Sequence, residues 1–385
     1  MLLLQKKKYT PYDMRLLFRL FVRHPWFFIY GLVKSFFLKK KPMTAPIDFV
    51  VTWVDDSDPE WLSDKQKYEG TTRNKDADKD NEAERYRDWD LFRYWFRAVE
   101  RYAPWVNKVY LVTCGHVPSW INRDNPKLVI VSHRDYMDAD YLPTFNSNPI
   151  ELNLHRIKGL SEHFVLFNDD TFLTQPIRPE DYFQDGKPLV CSLANPLINT
   201  PANETFNHVV FGNLGLANTW NWEEIIERHP EKWFFHGYGS RLMYSWQAYQ
   251  QRFLTGLYFT HMPQAFRKST YAKVWQSFPA ALDETSRHRF RSPLDLNHQL
   301  MTLQEVSDGD YVPMPRLYYG QYYGDGFIPM TDDPVAFSDY IRQHRFKVIC
   351  VNDSPAVTPE KYETIRNHVQ AAFDEILSNP CSFEK

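Results

Sequence analysis

The sequence predicts an α/β protein, built on a mostly parallel β-sheet that is covered by helices on both faces. Over residues 47–173, short runs rich in β-branched and aromatic residues alternate with segments whose apolar residues recur at helical spacing. The short runs are almost continuously apolar, which is typical of strands buried on both faces. Acidic clusters follow two of these runs, at the edge where parallel sheets bind ligands.

The first half of the chain supplies the predicted sheet. The pattern predicts strands over 47–54, 108–113, 127–132 and 164–167, with helices over 86–102 and 149–160. Pro104 ends the first helix, because proline disfavours the helical conformation of the residue before it. Residues 71–84 contain no large apolar side chain, so we predict a mobile loop there.

The second half of the chain is predicted to be helical and rich in aromatic residues. The candidate helices are 222–228, 239–255, 268–283, 293–306 and a final helix from Thr358 to about Leu377. Ser292 and Pro293 have the residue types favoured at the cap and first position of a helix. We divide the chain into an N-terminal segment (1–46), one main domain (47–357) and a C-terminal helix and tail (358–385).

Composition excludes some classes of protein. Hydrophobic residues make up 43% of the 385 residues, which indicates a globular chain. Residues 1–42 carry ten Lys or Arg and one acid, a net charge of +9, which leaves −12 for the rest of a chain whose total is −3. A body this acidic does not favour nucleic-acid binding. The four cysteines show no metal-ligand spacing and are interpreted as free thiols in a reducing, cytoplasmic compartment.

The N-terminal segment is basic and amphipathic. Leu16, Leu17, Leu20 and Phe21 share one helical face, while Arg15, Arg19 and Arg23 follow another. The most apolar stretch, 26–38, includes Lys34 and is short for a bilayer span, and we predict no signal peptide. Two alternatives stay open: residues 1–42 contact the inner face of the cell membrane peripherally, or they form a helical hairpin that packs on the body.

The acidic clusters at the strand ends are the chemically informative feature. Asp55, Asp56 and Asp58 follow the first strand, and Asn168, Asp169 and Asp170 follow the strand over 164–167. Carboxylates at such a position suit Mg²⁺ or Mn²⁺ bridging a diphosphate, so Asp169 and Asp170 are the candidate metal ligands. Taken alone, adjacent aspartates are more often a turn or a helix cap.

A polar stretch before the second cluster strengthens this interpretation. It places Asn146, Glu151, His155 and Arg156 just before or on the helix that leads into the acidic strand. A polar loop at a helix N-terminus suits a diphosphate or a sugar hydroxyl, so Asn146, Glu151 and Arg156 are candidate donor-binding residues. The alternative is that His155 and Arg156 are cap or surface groups.

Five blocks of the sequence resemble the signature blocks of the Stealth family. They are IDFVVTWVDDSDPEW (47–61), 85–122, LPTFNSNPIELNLHRIKGLSEHFVLFNDDTFL (142–173), 261–297 and VICVNDS (348–354), in the family's order. That family comprises bacterial capsular-polysaccharide sugar-phosphate transferases and the animal lysosomal-enzyme N-acetylglucosamine-1-phosphotransferase. One residue departs from the pattern, since Asp56 stands where the family usually has glycine.

The resemblance implies a Rossmann-like fold of the nucleotide-sugar transferase type. It also implies transfer of a sugar-1-phosphate, typically N-acetylhexosamine-1-phosphate, from a UDP-sugar to a hydroxyl of a growing glycan, with release of UMP, in capsular or exopolysaccharide synthesis. Carried onto this sequence, it places Trp53, Asp55 and Asp58 against the donor, with Asp58 counted among the catalytic residues. It places Asn168, Asp169 and Asp170 near the metal and phosphates.

The resemblance further identifies His261 and Arg291 as catalytic, with Asp295 nearby at the donor. A histidine can take the proton of the acceptor hydroxyl, and a guanidinium can hold phosphoryl oxygens. Without the resemblance, His261 is more often structural, and the basic run 287–291 is more often a solvated face. Two other functions stay open: a metal-dependent glycosyltransferase that releases UDP, and a non-catalytic polysaccharide-binding protein.

Overall fold

The computed structural model describes residues 11–55, 57–72, 89–195, 205–315, 327–329, 333–353 and 357–385. Its strands are β1 (Ile47–Thr52), β2 (Val109–Thr113), β3 (Leu128–Ser132), β4 (His163–Asn168), β5 (Thr171–Leu173), β6 (Phe183–Gln184), β7 (Lys187–Val190), β8 (Gln264–Arg267), β9 (Val312–Pro313), β10 (Phe327–Pro329) and β11 (Val348–Asn352). Its α-helices are α1 (Pro11–Phe18), α2 (His24–Ser35), α3 (Pro59–Thr72), α4 (Phe92–Tyr102), α5 (Ser147–Leu152), α6 (Thr205–Ala217), α7 (Trp222–Arg228), α8 (Pro230–Trp233), α9 (Leu242–Gln251), α10 (Lys268–Ser277), α11 (Pro279–Ser286), α12 (Gln299–Asp308), α13 (Pro334–Arg342) and α14 (Pro359–Ile376).

The central sheet has the strand order β3-β2-β1-β4-β8. The first four strands are parallel, and β8 pairs antiparallel with β4 at the edge. The chain moves outward from β1 to β2 and β3, then returns to place β4 on the other side of β1. This reversal of direction between β1 and β4 is the switch point at which open α/β sheets bind ligands. The predicted fold class is confirmed.

The sheet separates two hydrophobic cores, because successive strand residues point to opposite faces. Phe49 and Val51 of β1 lie in one core with Trp95 of α4 and Phe373 of α14. Val50 lies in the other core, which α6, α7, α9, α10 and α12 cover with residues such as Tyr271. The helical second half of the chain therefore covers one face of the sheet, while α4, α13 and α14 cover the other.

A second sheet brings the end of the chain to the switch point. Its order is β10-β11-β5, and β11 runs antiparallel to β5, with Cys350 opposite Thr171. Since β5 begins directly after Asn168–Asp170, this pairing places residues 348–352 beside the second acidic cluster. A third sheet, β6-β7-β9, lies outside this region.

The N-terminal segment forms a helix that lies on the body. A π-helical turn over Arg19–Arg23 joins α1 to α2. Phe28 packs with Phe234 and Trp246, at ring-centroid distances of 5.0 and 5.2 Å. Among the described residues, Met14–Ser35 is a helical stretch of 22 residues that is long and apolar enough to cross a membrane, judged by length and composition. This stretch begins twelve residues before the 26–38 segment that was judged short for a bilayer span.

Several predicted elements changed at their ends. The strands and the helices at 222–228 and 359–376 match the predictions within a few residues. The predicted helix 268–283 is two helices, because Pro279 begins a new helix after a break at Phe278. The predicted start at Pro293 is wrong, since α12 begins at Gln299. The predicted mobile loop lies outside the described residues, apart from Thr71 and Thr72 at the end of α3.

Candidate active site

The candidate active site lies at the carboxyl end of β4, where His261 faces the second acidic cluster. The Nε2 atom of His261 is 3.2 Å from Oδ2 of Asp170 and 3.2 Å from Nδ2 of Asn168. Asn168 is the last residue of β4, and His261 lies three residues before β8, the antiparallel neighbour of β4. The pairing of these two strands thus fixes the histidine opposite the aspartate.

Cys350 of β11 completes the surroundings of Asp170. It is fully buried, and its Sγ donates to Oδ2 of Asp170 at 3.3 Å. The backbone N–H of Val351 donates to the carbonyl oxygen of Asp170 at 2.7 Å. The acidic turn therefore lies between the central sheet and the second sheet. Contacts from both sheets orient the Asp170 carboxylate.

The residues present fit a divalent cation. The Oδ1 atom of Asp170 is buried and accepts no hydrogen bond within the described structure. One ligand atom each from Asp170, His261 and Cys350 lie within 4.8 Å of one another. A buried, unsatisfied carboxylate oxygen is costly unless a cation or a ligand meets it. The Cys350 thiol donates to the carboxylate, so we take Asp170 and His261 as the ligand candidates.

The local electrostatics show which other charges surround His261. Loss of surrounding water opposes the charged form of the ring, although the side chain is 41% exposed, and the nearby Asp170 carboxylate outweighs this effect and raises the pKa of His261. Glu151 raises this pKa further and Arg291 lowers it, so both of these charges act at the same site. Arg291 also donates to Oγ of Ser147 at 3.0 Å, at the start of α5. Four of the predicted residues, His261, Asp170, Glu151 and Arg291, therefore interact at this end of the sheet.

Glu151 enters the site as part of a buried chain of hydrogen bonds. Its Oε2 atom lies 2.5 Å from Nδ1 of His298, and Nε2 of His298 lies 3.3 Å from the side-chain amide of Gln264. Because the amide nitrogen donates to Nε2, Nδ1 carries the proton and donates to Glu151. Glu151 is thus oriented by its partner and is 5% exposed.

Asp295 is a structural anchor below the site. It is fully buried, and its Oδ2 atom accepts from the side-chain amides of Asn146 at 2.7 Å and Asn148 at 2.9 Å. The Oδ1 atom lies 2.6 Å from Nδ1 of His288, and this contact, opposed by partial burial, raises the pKa of His288. Asn146 also caps α5 through Asn148. The network joins the loop before α5 to the loop that carries Arg291.

The residues of the first acidic cluster have local structural partners. Trp53 is buried, with its ring stacked on Phe92 at 5.5 Å. Asp55 accepts from the N–H and hydroxyl of Ser57, at 2.9 and 2.6 Å. Asp58 accepts from the N–H of Trp61 at 2.8 Å, as an N-terminal cap of α3 does. Asp56 lies outside the described residues.

Two further predicted residues lie apart from the His261 cluster. The guanidinium of Arg156 lies over the ring of Trp275, 4.3 Å from its centroid, and is exposed. Asp169 is half-buried and does not belong to the group of ligand atoms around Asp170. The geometry thus favours Asp170 over Asp169 as a metal ligand, and Arg156 as the surface group that the alternative interpretation describes.

Sequence reasoning missed Cys350, His298 and Ser147. Cys350 lies in the VICVNDS block, so that block was the available signal for its place at the site. His298 is 147 residues from Glu151, and Cys350 is 180 residues from Asp170. Such pairs depend on the sheet topology, which spacing along the chain does not reveal.

Comparison with known proteins places this arrangement in a family. Three family models match the chain: Stealth protein conserved region 1 at residues 45–73, conserved region 2 at 85–190 and conserved region 3 at 260–304. A capsular polysaccharide phosphotransferase of Streptococcus pneumoniae is 38% identical over 348 residues, which cover 89% of this chain and 100% of that protein. The chain belongs to the Stealth family. The predicted resemblance is confirmed.

A second relative is similar to this Stealth chain over nearly its whole length. A receptor polysaccharide phosphotransferase of Streptococcus gordonii is 36% identical over 345 residues, which cover 89% of this chain and 100% of that protein. At such identity over nearly the whole length, this Stealth chain is a phosphotransferase enzyme, as predicted. A solved structure of the galactosyltransferase LgtC with donor and acceptor sugar analogues matches with a TM-score of 0.35 and 9% identity, over 83% of this chain and 95% of that chain.

The conserved regions contain the residues that the fold brings together. Region 2 includes Glu151 and Asp170, and region 3 includes His261, Arg291 and Asp295. The strand pairing of β4 with β8 and the Asp295 network therefore join the two regions into one site.

Proposed function

We propose that this chain transfers a sugar-1-phosphate, such as N-acetylhexosamine-1-phosphate, from a UDP-sugar to a hydroxyl of a growing glycan in capsular or exopolysaccharide synthesis. The observation that carries the proposal is the contact of His261 with Asp170 at the switch point of the sheet, with Arg291 bonded to Ser147 at the start of α5. The two relatives, a capsular and a receptor polysaccharide phosphotransferase, support the class of acceptor.

The reaction needs one proton transfer and one displacement at phosphorus. The acceptor oxygen forms a bond to the phosphorus that carries the sugar, the bridging P–O bond of the diphosphate breaks, and its electron pair leaves with UMP. The acceptor proton passes to His261, whose cationic form Asp170 stabilises across 3.2 Å. Arg291, whose charge lowers the pKa of His261, can hold the phosphoryl oxygens through its planar guanidinium.

The proposal includes Mn²⁺ or Mg²⁺, held by Asp170 with His261 beside it. When bound, such an ion neutralises the charge of the diphosphate oxygens. In the case that His261 also ligates the ion, its imidazole nitrogen suits a transition metal better than Mg²⁺, so that donor set favours Mn²⁺. Removal of divalent ions with a chelator should abolish turnover, and Mn²⁺ should restore it at lower concentration than Mg²⁺.

The decisive experiment is product analysis. The purified chain is incubated with a panel of UDP-sugars and glycan acceptors, and the nucleotide and the linkage are read by chromatography and phosphorus NMR. We expect UMP and a phosphodiester. Release of UDP with a glycosidic linkage would establish the glycosyltransferase alternative instead.

Two matched pairs of variants test the site itself. Asp170→Asn should abolish turnover, whereas Asp185→Asn, at an exposed aspartate paired with Lys41, should leave it unchanged. His261→Gln should reduce turnover about 100- to 10,000-fold, as loss of a general base does. The control is His368→Gln, on the exposed face of α14. Normal turnover in His261→Gln would remove the proposed base.

His261 has a second candidate role, since its Nε2 atom belongs to the group of ligand atoms around Asp170. The two roles predict different metal titrations. If His261 is the base, His261→Gln lowers kcat and leaves the half-saturating Mn²⁺ concentration unchanged. If His261 is a metal ligand, the half-saturating concentration rises, and excess Mn²⁺ restores part of the activity.

A further inference from the structure

The N-terminal helix turns basic side chains towards the body of the protein, whereas an amphipathic helix on a protein surface usually turns its apolar side chains inward. Three of its basic residues face acids of the body: Arg19 lies 3.9 Å from Glu223, Arg23 lies 2.5 Å from Glu227, and Lys34 lies 3.2 Å from Glu231. A helix that only packed on the body would bury its apolar stripe and expose its charges.

The opposite face of the same helix is apolar and exposed. Twelve of the nineteen large apolar side chains that are exposed among the described residues lie within 14–38, so the exposure is concentrated on one segment. The outward residues recur at helical spacing and form one stripe: Phe18, Phe21, Val22, Trp26, Ile29, Val33 and Phe36. A contiguous apolar surface of this kind marks a site of interaction.

We propose that this stripe, together with the lysines that follow it, docks the protein on an anionic lipid bilayer, with the helix lying parallel to the membrane plane. The charge distribution selects the partner. Residues 1–42 carry a net charge of +9, while the rest of the chain, at −12, is repelled by anionic lipid. Arg15, Lys39 and Lys40 flank the stripe and are exposed, and the described structure gives them no ion pair.

The contacts of the helix with the body exclude a membrane-spanning arrangement of this conformation. Gly31 lies directly against Pro230, and the buried hydroxyl of Ser35 accepts from the backbone N–H of His236 at 3.0 Å. A helix that crossed the bilayer would break these contacts, or would draw Glu223 and its neighbours into hydrocarbon. Charged groups at the bilayer centre are strongly disfavoured.

A second copy of the chain is a poorer occupant of the stripe. If two stripes paired in parallel, Arg15 would face Arg15. If they paired antiparallel, Arg15 would approach Lys39 and Lys40 of the other copy. Both arrangements place like charges together, which is unfavourable, whereas an anionic surface neutralises all of them.

The test uses the full-length chain and flotation with vesicles of phosphatidylglycerol and phosphatidylcholine, compared with vesicles of phosphatidylcholine alone. We expect wild-type protein to float with the anionic vesicles. The double variant Val22→Asp/Val33→Asp should lose at least tenfold in bound fraction. The matched control is Val335→Asp, which lies outside the stripe. Val335 is 56% exposed, close to the 52% of Val22 and the 53% of Val33, so the control and the double variant should both fold like the wild type.

A second variant tests the charge contribution. Lys39→Gln/Lys40→Gln should weaken binding to the anionic vesicles roughly 30-fold, from about 1 kcal/mol for each basic residue. Melting temperatures of all variants should match the wild type, because each changed side chain is exposed. Deletion of residues 1–42 is a less clean test, since it would also uncover the aromatic residues that Phe28 covers.

Three results would overturn the proposal. Equal flotation of the wild type and Val22→Asp/Val33→Asp would show that the stripe does not contact lipid. Retention of the protein in membranes after alkaline carbonate extraction would show a spanning helix. A dimer in light scattering without vesicles, lost in the same double variant, would assign the stripe to a second copy. None of these measurements depends on turnover, so the proposal and the proposed function can fail separately.

Discussion

Gly31 provides a sharp test of how the N-terminal helix is held on the body. Alanine at a helical glycine normally stabilises the helix by about 1 kcal/mol, because glycine loses more backbone entropy on folding. At position 31, however, a Cβ atom would lie 2.5 Å from the carbonyl oxygen and 2.6 Å from the carbonyl carbon of Pro230. These are backbone atoms at the start of α8, so no side-chain rotation relieves the contact.

The two effects have opposite signs, and their magnitudes decide the outcome. Overpacking at a close contact costs roughly 1–3 kcal/mol, and contact with backbone at this distance belongs at the upper end. After subtraction of the gain in helix propensity, Gly31→Ala should weaken docking of α2 by about 2 kcal/mol, or roughly 30-fold. The overall fold should persist, since this helix packs mainly on α8 and α9.

Amide hydrogen exchange over residues 24–35 measures this docking. An isolated helix of this length is marginal in water, so its protection depends on contact with the body. We expect exchange in Gly31→Ala to be roughly 30-fold faster than in wild type. Gly215→Ala is the matched control, because Gly215 also lies in a helix and a Cβ there meets nothing within 4 Å. Equal or slower exchange in Gly31→Ala would refute the reasoning.

Two more predictions concern buried polar groups. Burial lowers the pKa of His24 below its ordinary 6.5, against the opposing effect of the hydrogen bond that its Nε2 donates to Glu223, so the docked helix prefers the neutral ring and docking should weaken as the pH falls through 6.5. Exchange over residues 24–35 at about pH 7.5 and 5.5, corrected for the intrinsic rate, checks this, and His24→Gln should remove the pH dependence in this window. Asp295→Ala should lower the free energy of unfolding by roughly 3 kcal/mol, because it leaves the buried amides of Asn146 and Asn148 without their acceptor. Urea denaturation measures this loss, and Asp308→Ala, at a surface ion pair, should cost less than about 1 kcal/mol; similar losses in the two variants would contradict the anchoring role.

The central sheet could be predicted from the sequence because its strands are buried on both faces. The runs at 47–54 and 164–167 are almost continuously apolar, and the structure places both strands side by side within a few residues of the predicted bounds. Helix ends were harder to predict, because the same residue types serve different turns. The Ser292-Pro293 pair resembles a helix start, but the N–H of Ser292 donates to Asp295 in a loop, and α12 begins only at Gln299.

The residues of the candidate site were likewise predictable only in part. Asp170, His261 and Arg291 could be named in advance, since long signature blocks contain them and their chemistry suits phosphoryl transfer. Asp58 was also named with the catalytic residues. The structure shows that it caps α3, and its catalytic role stays a prediction.

The pairing of β5 with β11 has a consequence for how the protein is made. Asp170 is synthesised early, but Cys350 and Val351, which orient it, follow 180 residues later, near the end of the 385-residue chain. Chains fold from the N-terminus as they leave the ribosome, so the central sheet can form while β11 has not yet been translated. A chain released before residue 350 would lack one wall of the candidate site and also α14, whose Phe373 packs in the core with Phe49 of β1, so the core on that face of the sheet and the site are completed together.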